Sequence, residues 1–377
     1  MRERLARLAL YAGGFLGPFA GGVPTSMLPE LGADFDVSPQ VATYSLTAYL
    51  VPFAALMLFS GALGSRWGAQ RAVRVAYLVY VVASVVCVLA PAWWPFLAAR
   101  AAQGAANAFT TPLLLAAVAA ITPPDRLGRA LGLFASMQAA GQTSAPLLGG
   151  LAAEVDWRLA FVVVGVVALG LAVVGLPGDL RREGRATVRS AWRPRVLRAG
   201  AVALVGWSCL GGLSFLVAIR LGGVFGLGAA ERGLLLTGFG VVGLLTARLV
   251  GQGVDRVGPR RAVVAGVLLG AVPVLLVGVL PSVAAIAVLW ASAGVFSQLL
   301  LVGLNAMALS GGGPDRGGAV SVVQAFRFIG GAVSPMVFGP LYAVAPVLAF
   351  ALPAALLVAA APVTPGQERP GVRAERP

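Results

Sequence analysis

The sequence has no histidine and no lysine, and its only cysteines are Cys87 and Cys209. Without histidine it lacks the side chain that titrates nearest neutrality and the commonest zinc ligand. Both cysteines lie inside apolar runs, which excludes a disulfide framework and a metal-binding spacing. Charge is scarce too: 11% of the 377 residues are charged, against roughly 25% in soluble domains. A chain that is 59% hydrophobic, with a mean hydropathy of +0.89, cannot cover a water-facing surface. No loop pairs a nucleophile with a base or gathers metal ligands, so enzymatic chemistry has no foothold, and no cofactor is expected. The net charge of +14 does not indicate nucleic acid. The arginines sit in short clusters between long apolar runs and do not form a continuous basic face.

Apolar stretches long enough to cross a hydrocarbon core, about 20 residues, fall at twelve places. These are residues 8–28, 41–63, 72–90, 96–121, 130–153, 159–176, 199–221, 233–250, 262–280, 283–309, 319–341 and 344–361. Positive residues are retained on the cytoplasmic side of a membrane. With both termini placed there, 23 of the 28 arginines fall on one face, and only Arg158, Arg220 and Arg232 fall on the other. The expectation is an all-α membrane protein of the cell's inner (plasma) membrane, with twelve transmembrane helices and cytoplasmic termini.

The one long polar connection, residues 179–198, divides the spans six and six. The halves align at a nearly constant offset. Gly61, Arg66, Gly68 and Arg71 match Gly251, Arg256, Gly258 and Arg261, every pair at the same separation. Pro124-Asp125-Arg126 matches Pro314-Asp315-Arg316 at that offset again, and Gly141 and Pro146 match Gly330 and Pro335 one position short of it. This predicts two pseudo-symmetric six-helix bundles, residues 1–178 and 199–362, followed by a disordered tail over 363–377. Six helices per repeat give parallel repeats, the arrangement of transporters that rock two bundles about a central site.

Between spans 2 and 3 the chain reads Gly61-Ala-Leu-Gly64-Ser65-Arg66-Trp-Gly68-Ala-Gln70-Arg71, and Gly251 to Arg261 repeats it with Asp255, Arg256, Gly258 and Arg260. Glycines permit a tight turn there, and arginines offset the helix C-terminus and hold the loop at the lipid surface. The pattern resembles the G-x-L-[GAS]-D-R-x-G-R-R signature of the major facilitator superfamily. The resemblance implies a cytoplasmic gating latch, in which Ser65 replaces the usual acid and Gln70 one basic residue. Span 4 holds Arg100, Gln103, Asn107 and Thr111 on one helical face, similar to the family's R-x-x-Q-G motif. Span 5 holds Gly141, Pro146, Gly149 and Gly150, similar to the G-x-x-x-G-P-x-x-G-G motif of its drug:proton antiporter branch, with Ala145 in place of one glycine.

A buried charge is expensive in a bilayer, at least ~2.5–3.5 kcal/mol, so the spacing predicts that Arg100 and Arg327 face a central cavity. Gln103, Asn107, Thr111, Gln138, Gln142, Gln298, Asn305 and Gln324 would line it with them. An alternative for Arg100 is a structural arginine satisfied by the backbone carbonyls of a neighbouring helix. No carboxylate lies within any predicted span; Glu30, Asp34 and Asp36 cluster at the outer end of the first and are the candidate proton site. The resemblance implies a monomeric, proton-coupled exporter of small organic compounds. Transport of an organic anion held by the arginines, or a scaffold that no longer transports, are the alternatives.

Overall fold

The computed structural model describes residues 2–123, 126–177, 193–309 and 316–365. Among these residues there is no strand. The first crossing is α1 (Arg2–Gly22), a 3-10 turn at Val23–Ser26, and α2 (Leu28–Asp34). The second joins α3 (Pro39–Ala42) to α4 (Tyr44–Trp67). The third to sixth are α5 (Ala69–Leu89), α6 (Trp93–Ile121), α7 (Leu127–Ala153) and α8 (Arg158–Val174). The seventh is α9 (Pro194–Cys209), a 3-10 turn at Gly211–Leu213, and α10 (Ser214–Phe225). The last five are α11 (Ala229–Val257), α12 (Pro259–Val279), α13 (Val283–Leu309), α14 (Arg316–Val344) and α15 (Leu348–Ala360).

Eight of these crossings are long and apolar enough to span a membrane by length and composition alone. The crossings α8 and α15 are apolar but shorter, while α1 and α7 carry arginine, glycine and polar groups that dilute their hydropathy. Large apolar side chains face outward, Leu89 at 72% and Val173 at 75% exposure among them, and lipid is the solvent that suits them. The fold is therefore an all-α membrane protein of twelve transmembrane helices in two pseudo-symmetric sets of six. Two boundaries read from the sequence need correction. The first helix begins at Arg2 and breaks at Gly22, in place of a continuous helix over 8–28, and helix α9 already begins at Pro194, inside the predicted linker. The rest of that linker, the Pro124-Asp125 and Pro314-Asp315 pairs and the tail from residue 366 lie outside the described residues.

Glycine explains how the halves repeat. Gly68 and Gly258, equivalent by the repeat, each form a one-residue link between two helices at φ +89° and +86°, a conformation that glycine alone adopts readily. A Cβ at Gly104 would overlap the carbonyl oxygen of Tyr49, and one at Gly294 would overlap that of Phe239. These contacts, α6 on α4 and α13 on α11, are again related by the repeat offset and let the backbones touch. The breaks in the first and seventh crossings fall at Gly21-Gly22 and Gly211-Gly212, at the same offset.

The halves meet where α7 packs on α11 and α4 on α14. A Cβ at Gly150 would strike the carbonyl of Ala229, and one at Gly233 that of Pro146. The Phe53 and Phe328 rings meet edge-on, with centroids 4.8 Å apart. Thr47 Oγ1 reaches the Ala332 carbonyl at 3.5 Å. The glycine contacts involve the last turns of α7 and the first of α11, so they gather toward one end of the molecule. At the opposite, Arg-rich end, Gly132, Gly251 and Gly253 have nothing within 4 Å of a built Cβ. The contacts described between the halves therefore close one end, and none of those named lies at the other.

Candidate functional site

The two intramembrane arginines have different surroundings. Arg100 is fully buried inside the first half. Its Nη1 donates to the Ala20 carbonyl at 3.0 Å and to Gln103 Oε1 at 2.7 Å, its Nη2 to Gly21 O at 3.4 Å, and its Nε to Ser45 O at 3.3 Å. The Tyr49 ring lies 4.6 Å from the guanidinium. Local chemistry explains the position. Pro24 has no N–H, so the Ala20 carbonyl loses its helical donor, and Arg100 supplies one. At the equivalent positions of the second half, Ser214 stands where Pro24 would be and Trp290 where Arg100 would be. Trp290 is buried and stacks on Phe239, with centroids 5.1 Å apart. The second break is held instead by Ser334 Oγ donating to Ser208 O at 2.8 Å. The expectation that Arg100 faces a chamber between the halves is therefore corrected: it closes a helix break in its own bundle. Gln103 donates to Ser84 Oγ at 3.0 Å. Asn107 Oδ1 accepts from Thr110 at 3.0 Å and from Thr111 at 3.5 Å, and its amide fills the space beside Gly17. The polar face of α6 is real, but in this conformation it packs on α1, α4 and α5.

Arg327 is partly exposed. Its Nη1 donates to Gln324 Oε1 at 3.1 Å, and its guanidinium lies 3.8 Å from the Trp207 ring centre. Its Nε is buried and has no hydrogen-bond partner, and the same holds for Asn305 Oδ1. Both residues line one cavity of about 20 Å³ together with Trp207, Ser297, Leu300 and Gln324, room for about one water. The other predicted cavity residues stand apart. The Gln298 side chain packs against Gly243 of α11, Gln138 is half-buried and Gln142 exposed. In α7, Gly141 and Gly149 admit the backbones of Phe15 and Val23, while Gly150 and the Pro146 carbonyl meet α11.

At the closed end Glu30 binds Arg232 of the other half at 2.5 and 2.6 Å. Arg232 also donates to Ser26 O at 2.9 and 3.1 Å and to Leu227 O at 2.8 Å. Glu154 Oε1 accepts the Ala230 N–H at 2.9 Å, which puts a carboxylate at the N-terminus of α11. Ser26 Oγ donates to Pro146 O at 2.6 Å. Asp34 pairs with Arg158 at 2.7 Å within its own half, and Asp36 occupies a turn at φ +54°. Of the three candidate acids, only Glu30 bridges the halves. Sequence reasoning misses Arg232; the available signal is its isolation on the arginine-poor face. At the Arg-rich end Arg71, Asp255, Arg256, Arg260 and Arg261 are exposed or half-buried, and Asp255 has no ion pair among the described residues. The surroundings of Gly61 and Gly64 and the side chains of Ser65 and Arg66 lie outside the described residues.

The profile described as the Major Facilitator Superfamily matches residues 10–251. A drug efflux pump of Mycobacterium tuberculosis, JefA, is 29% identical over 214 residues, 55% of this chain and 42% of that protein. The puromycin resistance protein pur8 of Streptomyces alboniger is 34% identical over 171 residues, 44% of this chain and 34% of that protein. The chain thus spans under half the length of these curated relatives. Among solved structures, a bacterial homolog of the human lysosomal transporter Spinster, inward-facing and unoccupied, superposes with a TM-score of 0.75 at 18% identity. That match covers 96% of this chain and 95% of the other.

Proposed function

The chain belongs to the Major Facilitator Superfamily, and on that premise we propose that it exports small organic compounds across the cell's inner membrane by alternating access, in exchange for protons. One observation carries the reading: among the described residues the glycine-backed contacts between the halves gather at one end, away from the arginine clusters. Packed interfaces of this kind are bistable, so a rocking motion about the middle exposes the interior to one side at a time. Positive residues kept inside make the Arg-rich end cytoplasmic, so the contacts that join the halves close the outer end, and in this arrangement cargo is received from within. The names of JefA and pur8, an efflux pump and a resistance protein, support the outward direction.

Glu30 is the residue we assign to the proton. Closing the outer end gives its carboxylate a cationic partner from the other half, and opening removes that partner. Charge on Glu30 and closure of this end are therefore thermodynamically linked. For exchange, a proton that Glu30 receives from outside passes on to the interior as the end closes and the carboxylate regains Arg232. The test is a liposome assay of the purified chain that records internal pH while cationic, neutral and anionic compounds are offered. Export coupled to proton entry, lost on addition of a protonophore, is expected. Unchanged flux without a proton gradient would remove proton exchange from the account.

A further inference from the structure

We propose that the second bundle holds an anchoring subsite for the carboxylate of a small organic ligand, built by Arg327 with Asn305, Gln324 and Trp207. This inference rests on the transport reading and adds the class of cargo to it.

The two intramembrane cations are unequally supplied with acceptors. Arg100 has four, three of them backbone carbonyls and one a glutamine. Arg327 has a single acceptor, Gln324 on its own helix, and no carboxylate pairs with it among the described residues. An unpaired charge at membrane depth is costly, which makes such a residue a functional site by default. Helix α14 rises about 1.5 Å per residue, so Arg327, about three turns beyond Arg316, lies roughly 16 Å from the Arg-rich end.

The geometry of the guanidinium narrows the ligand. Gln324 occupies Nη1, and Trp207 covers one face at 3.8 Å. What is left is the side-on edge of Nε and Nη2, and Nε is buried without a partner. That edge presents two parallel N–H donors and matches a carboxylate bidentately. Asn305 Oδ1, buried and unpartnered in the same cavity, calls for a donor beside the anion. In this conformation the free space holds about one water, so the carboxylate enters as the site widens, and beyond the Ser297 hydroxyl the wall of Leu300, Leu301 and Leu304 is apolar. A compact carboxylate carrying a neighbouring hydroxyl or N–H, on an apolar body, satisfies each of these groups. A phosphate carries a second charge that this single cation leaves unneutralised.

The test uses the full purified chain and four probes: phenylacetate, mandelate, phenylacetamide and inorganic phosphate. Binding is read by calorimetry, and folding of each variant by its unliganded melting temperature. Phenylacetate is expected to bind, mandelate to bind about 3–10-fold tighter through its hydroxyl, and neutral phenylacetamide not to bind. Arg327→Gln should abolish carboxylate binding while leaving the melting temperature intact or raised, because it removes an uncompensated charge. Arg327→Lys should weaken binding about tenfold by losing the second donor. Asn305→Leu should erase only the preference for mandelate. Equal binding of phenylacetate and phenylacetamide, undiminished binding by Arg327→Gln, phosphate binding tighter than either acid, or no binding by any probe would each overturn the subsite. Failure of the transport reading shows differently. Carboxylates would then bind and require Arg327, yet no compound would cross liposomes.

Discussion

Replacing Glu30 with glutamine keeps the size of the side chain but removes the charge that Arg232 faces across the closed end. Truncating one partner of a buried ion pair costs about 3–5 kcal/mol, and exposed pairs are worth about 0.2–1 kcal/mol. Here Arg232 is 4% and Glu30 29% exposed. Arg232 also keeps the carbonyls of Ser26 and Leu227, and the glutamine amide oxygen still accepts. The cost that follows is about 1.5–2 kcal/mol against closure, or roughly 10–30-fold in the open-to-closed ratio. A cysteine at Thr43 reports this ratio. Thr43 is fully buried at the closed end, beside Gly339 of the other half, so a membrane-impermeant maleimide reaches it only when the halves part. With Cys87 and Cys209 replaced by alanine, the Thr43→Cys labelling rate from outside should rise roughly 10–30-fold in Glu30→Gln and return to the parent rate in Glu30→Asp. Labelling rates within about twofold of each other in Glu30→Gln and its parent would refute the view that this pair holds the outer end shut.

Gly104→Ala and Gly294→Ala each place a methyl group against a carbonyl oxygen; overpacking of this kind typically destabilises by about 1–3 kcal/mol, and a lowered melting temperature in detergent for both variants is the expected result. Arg100→Ala strands the Ala20 carbonyl, which Pro24 cannot serve, and empties a fully buried position, at about 1–3 kcal/mol for the buried group left unpaired. Its melting temperature should fall steeply, whereas the carboxylate affinity of the surviving folded fraction should be unchanged. Gly68→Ala and Gly258→Ala force a side chain to φ +89° and +86°, with a loss of about 1–3 kcal/mol each. Thermal unfolding curves check the sum, since the two turns belong to different halves. In the parent chain both cysteines are buried, so neither should react with maleimide before unfolding.

Much of the fold is legible in the sequence because lipid imposes a simple rule. A span must be apolar for its full length, and ten of the twelve crossings announce themselves this way. The repeat is legible because glycine at a backbone contact or a positive-φ link has no substitute, so Gly68 and Gly258 stand at a fixed spacing. Hydropathy blurs where a crossing is broken. The first break is set by Gly21, Gly22 and Pro24, and lies within a stretch whose composition suits a continuous helix. The site is less legible. Helical periodicity places Arg100, Gln103 and Asn107 on one face that avoids lipid, but a face turned into its own bundle and one turned to the gap share that pattern. What separates them is the acceptor supply, which depends on Pro24 in another helix. Glu30 and Arg232 come from opposite halves of the chain, and Trp207 meets Arg327 across a helix interface; no local spacing encodes either contact.

In this account the two halves move as bodies, one end opening as the other shuts. Distances between spin labels at both ends of the same protein test that motion most directly: Val155 with Val344 at the closed end, and Trp67 with Val257 at the Arg-rich end, all at exposed positions. In the parent chain the first distance should be short and the second long. In Glu30→Gln a matching fraction of molecules should show the first lengthened and the second shortened. Movement at one end while the other stays fixed would contradict the account.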